Sequence, residues 1–474
     1  MYREHWLRIL RYSLKNIWLL IFPLLRGATV LSFDPRGLYA WISGAWKDVA
    51  VLGIILLFGF VKWWFTFISI TDREIIQTSE FIIKVTKRIP VENISAITSE
   101  RMFLLKPLKA MTFRCDTRAG IFKSTDMELL VTTEVGMELM KHIPKPDNAE
   151  DTFPVSTTLD VLLFSAFFSS GLSGAVYIAT FFFKGGDIAH DVVNGWLARI
   201  TETTVKINLI MGIPRTIIIT GIFFLMAWLL SFTVNILRYS KFRATADENY
   251  INVSCGITNR KEYRIRTNHI NYTDLRQNLI MSMRDVVSVN ISCAGYGTDS
   301  KQLPVISPIR KEDNLGRWFE EINISTKKKL DFRPKFTSIM SYIWLPLTAG
   351  VAVFLLYFFG SRYFPQLSEI LYFLVIMGEI PLVWLTVVKT ASLFRSGISI
   401  DGNRIIVRCT KMTDFHTVIA ENKKAVIVEK IQSPLQRIFN KKCNIRIWFT
   451  AESKSRFTVK AIAVVDAEKI CNLL

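Results

Sequence analysis

Glu379 is the residue with the most conspicuous chemistry in this chain, because it lies inside the apolar run Ile370–Ala391. A carboxyl group in the middle of a membrane helix is costly to bury, and such groups commonly act as proton or ion relays. The structural alternative is a protonated carboxyl, hydrogen-bonded beside the helix kink at Pro381. A transporter usually carries several such groups, whereas only Arg26 and Lys62 accompany Glu379, both nearer the ends of their apolar runs. The structural interpretation is therefore preferred.

A basic cluster within residues 327–336, KKKLDFRPKF, forms a second candidate site directly before another apolar run. Cationic side chains near a membrane surface attract anionic lipid headgroups, with about 1 kcal/mol for each charge. The same charges would also orient the following helix as an ordinary positive flank. The two interpretations overlap, and the second is preferred. The candidate headgroup-binding residues are Lys327, Lys328, Lys329, Arg333 and Lys335.

Motifs for catalysis and for metal binding are missing from the sequence. It contains no glycine-rich phosphate loop, no GxSxG elbow and no HExxH motif. The six cysteines form no CxxC pair, and the five histidines form no ligand cluster. The net charge of +19 would suit nucleic acid, but aromatic residues do not alternate with the basic ones as a stacking platform requires. We predict that the chain is not an enzyme and binds no cofactor, metal or nucleic acid.

Six apolar runs must position these groups. Runs of about 20 residues can cross a hydrocarbon core of about 30 Å as helices. Most of the 59 lysines and arginines lie outside the runs, in residues 71–156, 238–338 and 392–474. This asymmetry predicts that these segments and both termini lie in the cytoplasm. The six runs are Ile17–Leu31, Val49–Ile70, Leu159–Phe183, Met211–Leu237, Ile339–Gly360 and Ile370–Ala391.

The polar segments that follow the runs repeat one pattern. Ile89–Ile94 aligns with Ile265–Ile270, and Ile419–Lys424 takes the same place in the third segment. At this alignment Cys115 meets Ile291 within stretches of strand-like composition. A repeat of this kind indicates three copies of one structural unit.

The repeat resembles a known family. Its pattern is an I-P-x-x-x-I start at Ile89–Ile94, a Q-[SN]-x-L segment at Gln432–Leu435 and a closing corner at Thr117–Gly120. With these motifs the chain resembles the bacterial pleckstrin-homology-like (PH-like) membrane proteins of the YdbS/YdbT type, over most of its length. The resemblance implies a split β-sandwich in each polar segment, capped by a C-terminal helix. The candidate capping helices are Glu134–Ile143, Asn314–Ile322 and Asp466–Leu473.

The predicted fold is thus an α+β membrane protein. Six transmembrane helices form three hairpins. Each hairpin is followed by a cytoplasmic PH-like split β-sandwich with a C-terminal helix. The expected hairpins are residues 1–70, 157–237 and 337–391, and the expected PH-like domains are residues 71–146, 238–325 and 392–474.

The predicted function is binding. A multi-pass protein of the inner cell membrane, with both termini in the cytoplasm, would present three PH-like domains to protein or lipid-headgroup partners. The expected partners are the lipid bilayer, anionic headgroups and other proteins, including a related PH-like membrane protein. The resemblance implies a role in envelope stress or antimicrobial tolerance. The alternative is a transporter or channel component that uses Glu379.

Overall fold

Antiparallel sheets and a few long helices make up the described structure. The computed structural model describes residues 2–13, 53–80, 83–118, 125–141, 158–168, 215–247, 249–293, 305–311, 330–434, 436–437, 442–450 and 455–473. The described strands form four sheets, and every pairing among them is antiparallel.

The four sheets are built from nineteen described strands, numbered in chain order. The first sheet contains β1 (Tyr2–Arg3), β2 (Thr66–Ile70), β3 (Glu74–Ser79) and β4 (Val85–Pro90). The second contains β5 (Ile94–Met102), β6 (Ala110–Thr117), β7 (Met127–Thr132), β8 (Arg243–Ala246), β9 (Tyr250–Cys255) and β10 (Asn259–Arg266). The third contains β11 (Tyr272–Gln277), β12 (Val286–Ser292), β13 (Val305–Lys311), β14 (Gly397–Asp401), β15 (Arg404–Lys411) and β16 (Asp414–Glu421). The fourth contains β17 (Ala425–Ile431), β18 (Lys442–Phe449) and β19 (Arg456–Ala463).

Successive units of the chain share the two larger sheets. We define the first unit as β1–β7, the second as β8–β13 and the third as β14–β19. The strand orders are β7-β6-β5-β10-β9-β8 and β13-β12-β11-β16-β15-β14. β5 of the first unit therefore pairs with β10 of the second, and β11 of the second pairs with β16 of the third. We call these two pairings the inner seams.

An apolar core lies between the two half-sheets of each unit. The alternation in β18 shows its origin, because Cys443, Ile445, Ile447 and Phe449 are buried while the residues between them are more exposed. This period of two is that of a strand with one face on the core. Burial of each large apolar side chain contributes about 1.5–3 kcal/mol, so the cores provide most of the stability of the units.

The long helices connect and cap the sheets. The capping-helix predictions hold for the first and third units, as α2 and α8, and Asn314–Ile322 lies outside the described residues. The principal helices are α1 (Gly53–Trp64), α2 (Thr133–Met140), α3 (Thr158–Phe168), α4 (Arg215–Tyr239), α5 (Leu279–Met283), α6 (Ile339–Tyr363), α7 (Ser368–Arg395) and α8 (Val464–Leu473).

The prediction of six transmembrane helices in three hairpins is wrong. In the described part of the chain, two helices are long and apolar enough to cross a membrane, Gly221–Tyr239 and Phe336–Tyr363. The helix Gly53–Trp64 is apolar but shorter. The expected helix at Ile17–Leu31 lies outside the described residues. The sheet-rich units remain consistent with PH-like domains.

The apolar run Val49–Ile70 shows why hydropathy misled the prediction. Its helix ends at Trp64, and the residues Thr66–Ile70 form β2, which pairs with β3 and fully buries Ile68. Part of the apolar character thus belongs to a sheet core. Likewise α3, within the run Leu159–Phe183, packs on β13 and buries Val161 and Phe164.

The repeat is real, but its third copy is shifted by one residue from the predicted alignment. In each unit a three-residue 3-10 helix follows β4, β10 or β16, at Val91–Asn93, Thr267–His269 and Asn422–Lys424. Counting back from these helices, Ile89 and Ile265 correspond to Ala420 and not to Ile419. A slip of one residue in a strand exchanges its two faces. Ile419 accordingly belongs to the core of the second unit, and Ala420 to that of the third.

Thiol accessibility provides a test of the sheet cores. Burial raises the pKa of Cys255 to about 11 and that of Cys409 to about 12, so neither forms the reactive thiolate at neutral pH. We expect iodoacetamide to label Cys471 in the native protein and the other five cysteines only after unfolding, as mass spectrometry of the alkylated peptides would show. Labelling of Cys409 at the rate of Cys471 would contradict the fold. The buried cysteines are Cys115, Cys255, Cys293, Cys409 and Cys443.

Candidate anion-binding site

A cavity of about 240 Å³ lies where the C-terminal end of α7 meets the third sheet. Three separate parts of the chain form its wall: the end of β11, the segment before α6, and the α7–β16 region. The lining residues are Gln277, Leu330, Arg333, Phe394, Arg395, Ser396, Arg408, Cys409, Thr410, Phe415, His416 and Thr417.

Positive charge dominates this cavity. Its lining includes Arg333, Arg395 and Arg408 and contains no aspartate or glutamate. A guanidinium group offers a planar fork of donors that matches phosphate and carboxylate oxygens. The cavity is therefore suited to an anionic group.

Local contacts hold Arg395 and the end of α7 in place. The Arg395 guanidinium lies 5.2 Å from the centroid of the Phe415 ring, and its Nη1 donates to Gln277 Oε1 at 3.4 Å. The hydroxyl of Thr410 donates to the hydroxyl of Ser392 at 2.6 Å, which ties β15 to the last turns of the helix. The helix end and the sheet thus form one support for the arginines.

The segment that carries Arg333 is fixed against β14. The N–H groups of Phe332 and Ile398 each donate to the other's carbonyl at 2.9 Å. The Asp331 carboxylate accepts a hydrogen bond of 2.6 Å from the Ser399 hydroxyl. A Cβ on Gly397 would lie 2.6 Å from the Phe332 carbonyl oxygen, so only glycine permits this approach.

Beside the cavity, a buried carboxylate joins the second and third units across their inner seam. Asp274 on β11 is 0% exposed, and its oxygens lie 2.9 and 3.0 Å from Nδ1 of His416 on β16. Nε of Arg276 donates to the same carboxylate at 2.9 Å. Burial opposes ionisation of Asp274, but His416 and Arg276 outweigh it and lower its pKa to about 2. Asp274 is therefore an ionised structural group at neutral pH.

Comparison with known proteins identifies the family. The family model of the bacterial PH domain matches residues 20–145 and 195–318. The chain belongs to the bacterial PH domain family. A search of curated proteins and a search of solved structures found no match. The predicted resemblance is thus confirmed, with two PH domain matches over the first two units, and PH domains generally bind proteins or lipid headgroups.

Two residues of the predicted basic cluster are described in the structure, and only one of them lines the cavity. Arg333 lines it, whereas Lys335 is exposed and does not. Lys327, Lys328 and Lys329 lie outside the described residues.

Sequence reasoning missed Arg395 and Arg408. Arg395 had a usable signal, because it is the cation that closes the last turn of an apolar helix. Arg408 had none, because nothing in its local sequence indicates that β15 passes beneath that helix end.

Glu379 lies far from this site. Glu379 lies sixteen positions before Arg395 in α7, which is about 24 Å along a helix. Its carboxylate faces Gly350 of α6, where an added Cβ would be 3.2 Å from Oε2. Glu379 therefore takes part in the contact between α6 and α7 and does not join the arginines.

Proposed function

We propose that the protein is a binding scaffold at the cytoplasmic face of the inner membrane, where its arginine-lined cavity holds the phosphate of an anionic lipid headgroup. The observation that carries the proposal is the convergence of Arg333, Arg395 and Arg408 around one cavity at the end of α7. Arg333 lies three residues before Phe336–Tyr363, which contains α6 and is one of the two described helices long and apolar enough to cross a membrane.

The exposed surface of α6 supports a membrane location. Leu345 is 69% exposed and Leu356 is 71% exposed, as expected of side chains in contact with lipid. Arg333, before the N-terminal end of α6, and Arg395, at the C-terminal end of α7, both line the cavity. A headgroup at this level would have its acyl chains alongside the helices.

The remaining parts of the proposal extend the family assignment. The third unit, which repeats the strand order of the second and ends in α8, is proposed to be a further PH-like domain. The role is proposed to be binding without catalysis, with other proteins as partners. The role in envelope stress or antimicrobial tolerance remains a prediction.

Removal of the arginines tests the cavity. We expect Arg395→Ala and Arg408→Ala each to weaken phosphatidylglycerol binding roughly tenfold, because a charge-assisted hydrogen bond is worth about 1.5–3 kcal/mol. The full chain would be placed in phosphatidylcholine nanodiscs with and without phosphatidylglycerol, and bound lipid measured by native mass spectrometry. Arg404→Ala is the matched control, because Arg404 lies on β15 with Arg408 but does not line the cavity.

Two outcomes decide the proposal. Equal lipid retention by the wild type, the cavity variants and Arg404→Ala would overturn it. Competition by inorganic phosphate at concentrations comparable to the lipid would show that the cavity binds free anions and not headgroups, which would also contradict it.

A further inference from the structure

Six strands of the described chain lie at the seam positions of their units, namely β4, β5, β10, β11, β16 and β17, and two of them keep an unpaired edge there. β4 pairs only with β3, and β17 pairs only with β18. In the repeat, β4 corresponds to β10 and β16, which precede the 3-10 helix of their units. β17 corresponds to β5 and β11, which follow it. The inner seams pair a strand of the first kind with a strand of the second kind. The described series of sheets thus has one half of a seam at β4 and the complementary half at β17.

The two inner seams have the same register. At the first seam Ile97, four residues after its 3-10 helix, pairs with Arg264, three residues before the next one. At the second seam Thr273 and Ile419 occupy the same two positions and also pair. A register kept twice with different side chains is a property of the repeated backbone, and it predicts Val428 opposite Arg88 in a third seam.

We infer that β17 of one copy of this chain pairs with β4 of a second copy, which continues the sheet series head to tail. The inference does not depend on the anion site. In the predicted register Glu429 lies opposite Lys87 and Ile427 lies opposite Ile89. The contact would cover Val426, which is 63% exposed, and Ile427, which is 49% exposed. Paired edges also satisfy backbone groups that otherwise face water.

At both inner seams an acidic side chain bonds to a lysine or histidine side chain of the neighbouring unit. Lys261 of β10 lies 3.3 Å from Glu100 of β5 at the first seam. His416 of β16 pairs with Asp274 of β11 at the second seam. In both cases the acid is on the strand that corresponds to β5, and its basic or histidine partner is on the strand that corresponds to β4, as Glu429 and Lys87 would be. Glu429 occupies the position of Asp274 in its own unit.

A second contact of the first seam has a counterpart in the proposed contact between two copies. The Arg264 guanidinium is buried and donates to the carbonyl of Met140, at the end of the capping helix α2. The residue at the position of Arg264 in β4 is Arg88, and the residue at the position of Met140 in α8 is Cys471. Arg88 of one copy would thus reach the carbonyl end of α8 in the next, where a cation is favoured.

The geometry selects a disulfide test. The N–H of Val91 donates to the Arg73 carbonyl at 2.8 Å, so by alternation Lys87 directs its backbone groups towards β3. Lys87 and Glu429 would form a non-hydrogen-bonded pair with Cα atoms about 4.5 Å apart, which is within disulfide range. A contact of this type that repeats from copy to copy gives a ring or a filament.

The experiment mixes two full-length chains in native membranes, both carrying Cys471→Ser to remove the exposed thiol. One carries Lys87→Cys and the other Glu429→Cys, each with a different tag. We expect mild oxidation to give a mixed dimer in about tenfold higher yield than the control pair Lys87→Cys with Lys430→Cys, whose side chains lie on opposite faces. A chain carrying both Lys87→Cys and Glu429→Cys should form a ladder of higher oligomers.

The contrary results are equally specific. Equal yields for Glu429→Cys and Lys430→Cys would show random collision and overturn the inference. A single mass of one chain by mass photometry, with no crosslinked ladder, would overturn it as well. Retention of the thiol-labelling pattern of the five buried cysteines would show that the variants are folded, so failure of the seam is separable from failure of folding.

Discussion

Replacement of Asp274 by alanine is expected to lower the free energy of unfolding by about 3–5 kcal/mol, because it leaves Arg276 without its counter-charge and the buried His416 without its hydrogen-bond partner. The loss should be concentrated at the second inner seam, since Asp274 and His416 belong to different units. Hydrogen exchange at β11 and β16 should therefore accelerate more than exchange at β5 and β10. Asp72→Ala, which removes an exposed carboxylate, is the matched control.

The same residue predicts a loss of stability in acid. The pKa of Asp274 lies below its usual value of 3.8, at about 2 in the folded chain. Its contribution is present above about pH 4 and is lost as the pH falls through about 2, for a total of about 2 kcal/mol. Denaturant unfolding of the wild type should weaken over this interval more than that of Asp274→Ala. Parallel curves for the two proteins would contradict the ion pair.

Gly256→Val is expected to cost about 2–4 kcal/mol and to uncouple the second unit from α4. Gly256 has a φ of +95°, and a Cβ there would overlap the carbonyl oxygen of Asn259. Its N–H donates to the Ser240 carbonyl at 2.8 Å, and the N–H of Ile257 donates to the Leu237 carbonyl at 3.1 Å. The β9–β10 turn thus closes the C-terminal end of a helix that is suited to crossing a membrane.

Limited proteolysis and thermal unfolding would measure this effect. We expect cleavage near Ser240 to increase in Gly256→Val and the melting temperature to fall. Gly402→Ala is the control, because Gly402 also has a positive φ, +56°, but has nothing within 4 Å of an added Cβ. It should cost only the backbone strain of about 1 kcal/mol. Equal effects of the two substitutions would mean that the contact between turn and helix contributes nothing.

Local patterns predicted the units well and their assembly poorly. The strand composition around Met111–Cys115 and the closing helix near Glu134 both correspond to observed elements, because each depends on neighbouring residues. The inner seams were not predicted, because the pair Asp274–His416 joins residues 142 positions apart. Single-sequence hydropathy also could not separate a lipid-facing run from the buried strand β2.

The arginine cavity was half predicted for a similar reason. Arg333 stood out within a basic cluster, whereas Arg408 is an ordinary strand residue until the fold places it beneath α7. Glu379 attracted attention because its surroundings in the sequence are apolar. The structure gives it a neighbour, Gly350, which the sequence could not identify.

The shared sheets determine how this chain can be divided. Truncation between the first and second units would strip β10 from β5, and truncation between the second and third would strip β16 from β11. Each cut would leave a full-length strand with bare amide and carbonyl groups, which are templates for aggregation. Expression of single PH domains from this protein therefore calls for coexpressed fragments or redesigned edges, and the smallest well-behaved piece is the entire run of sheets.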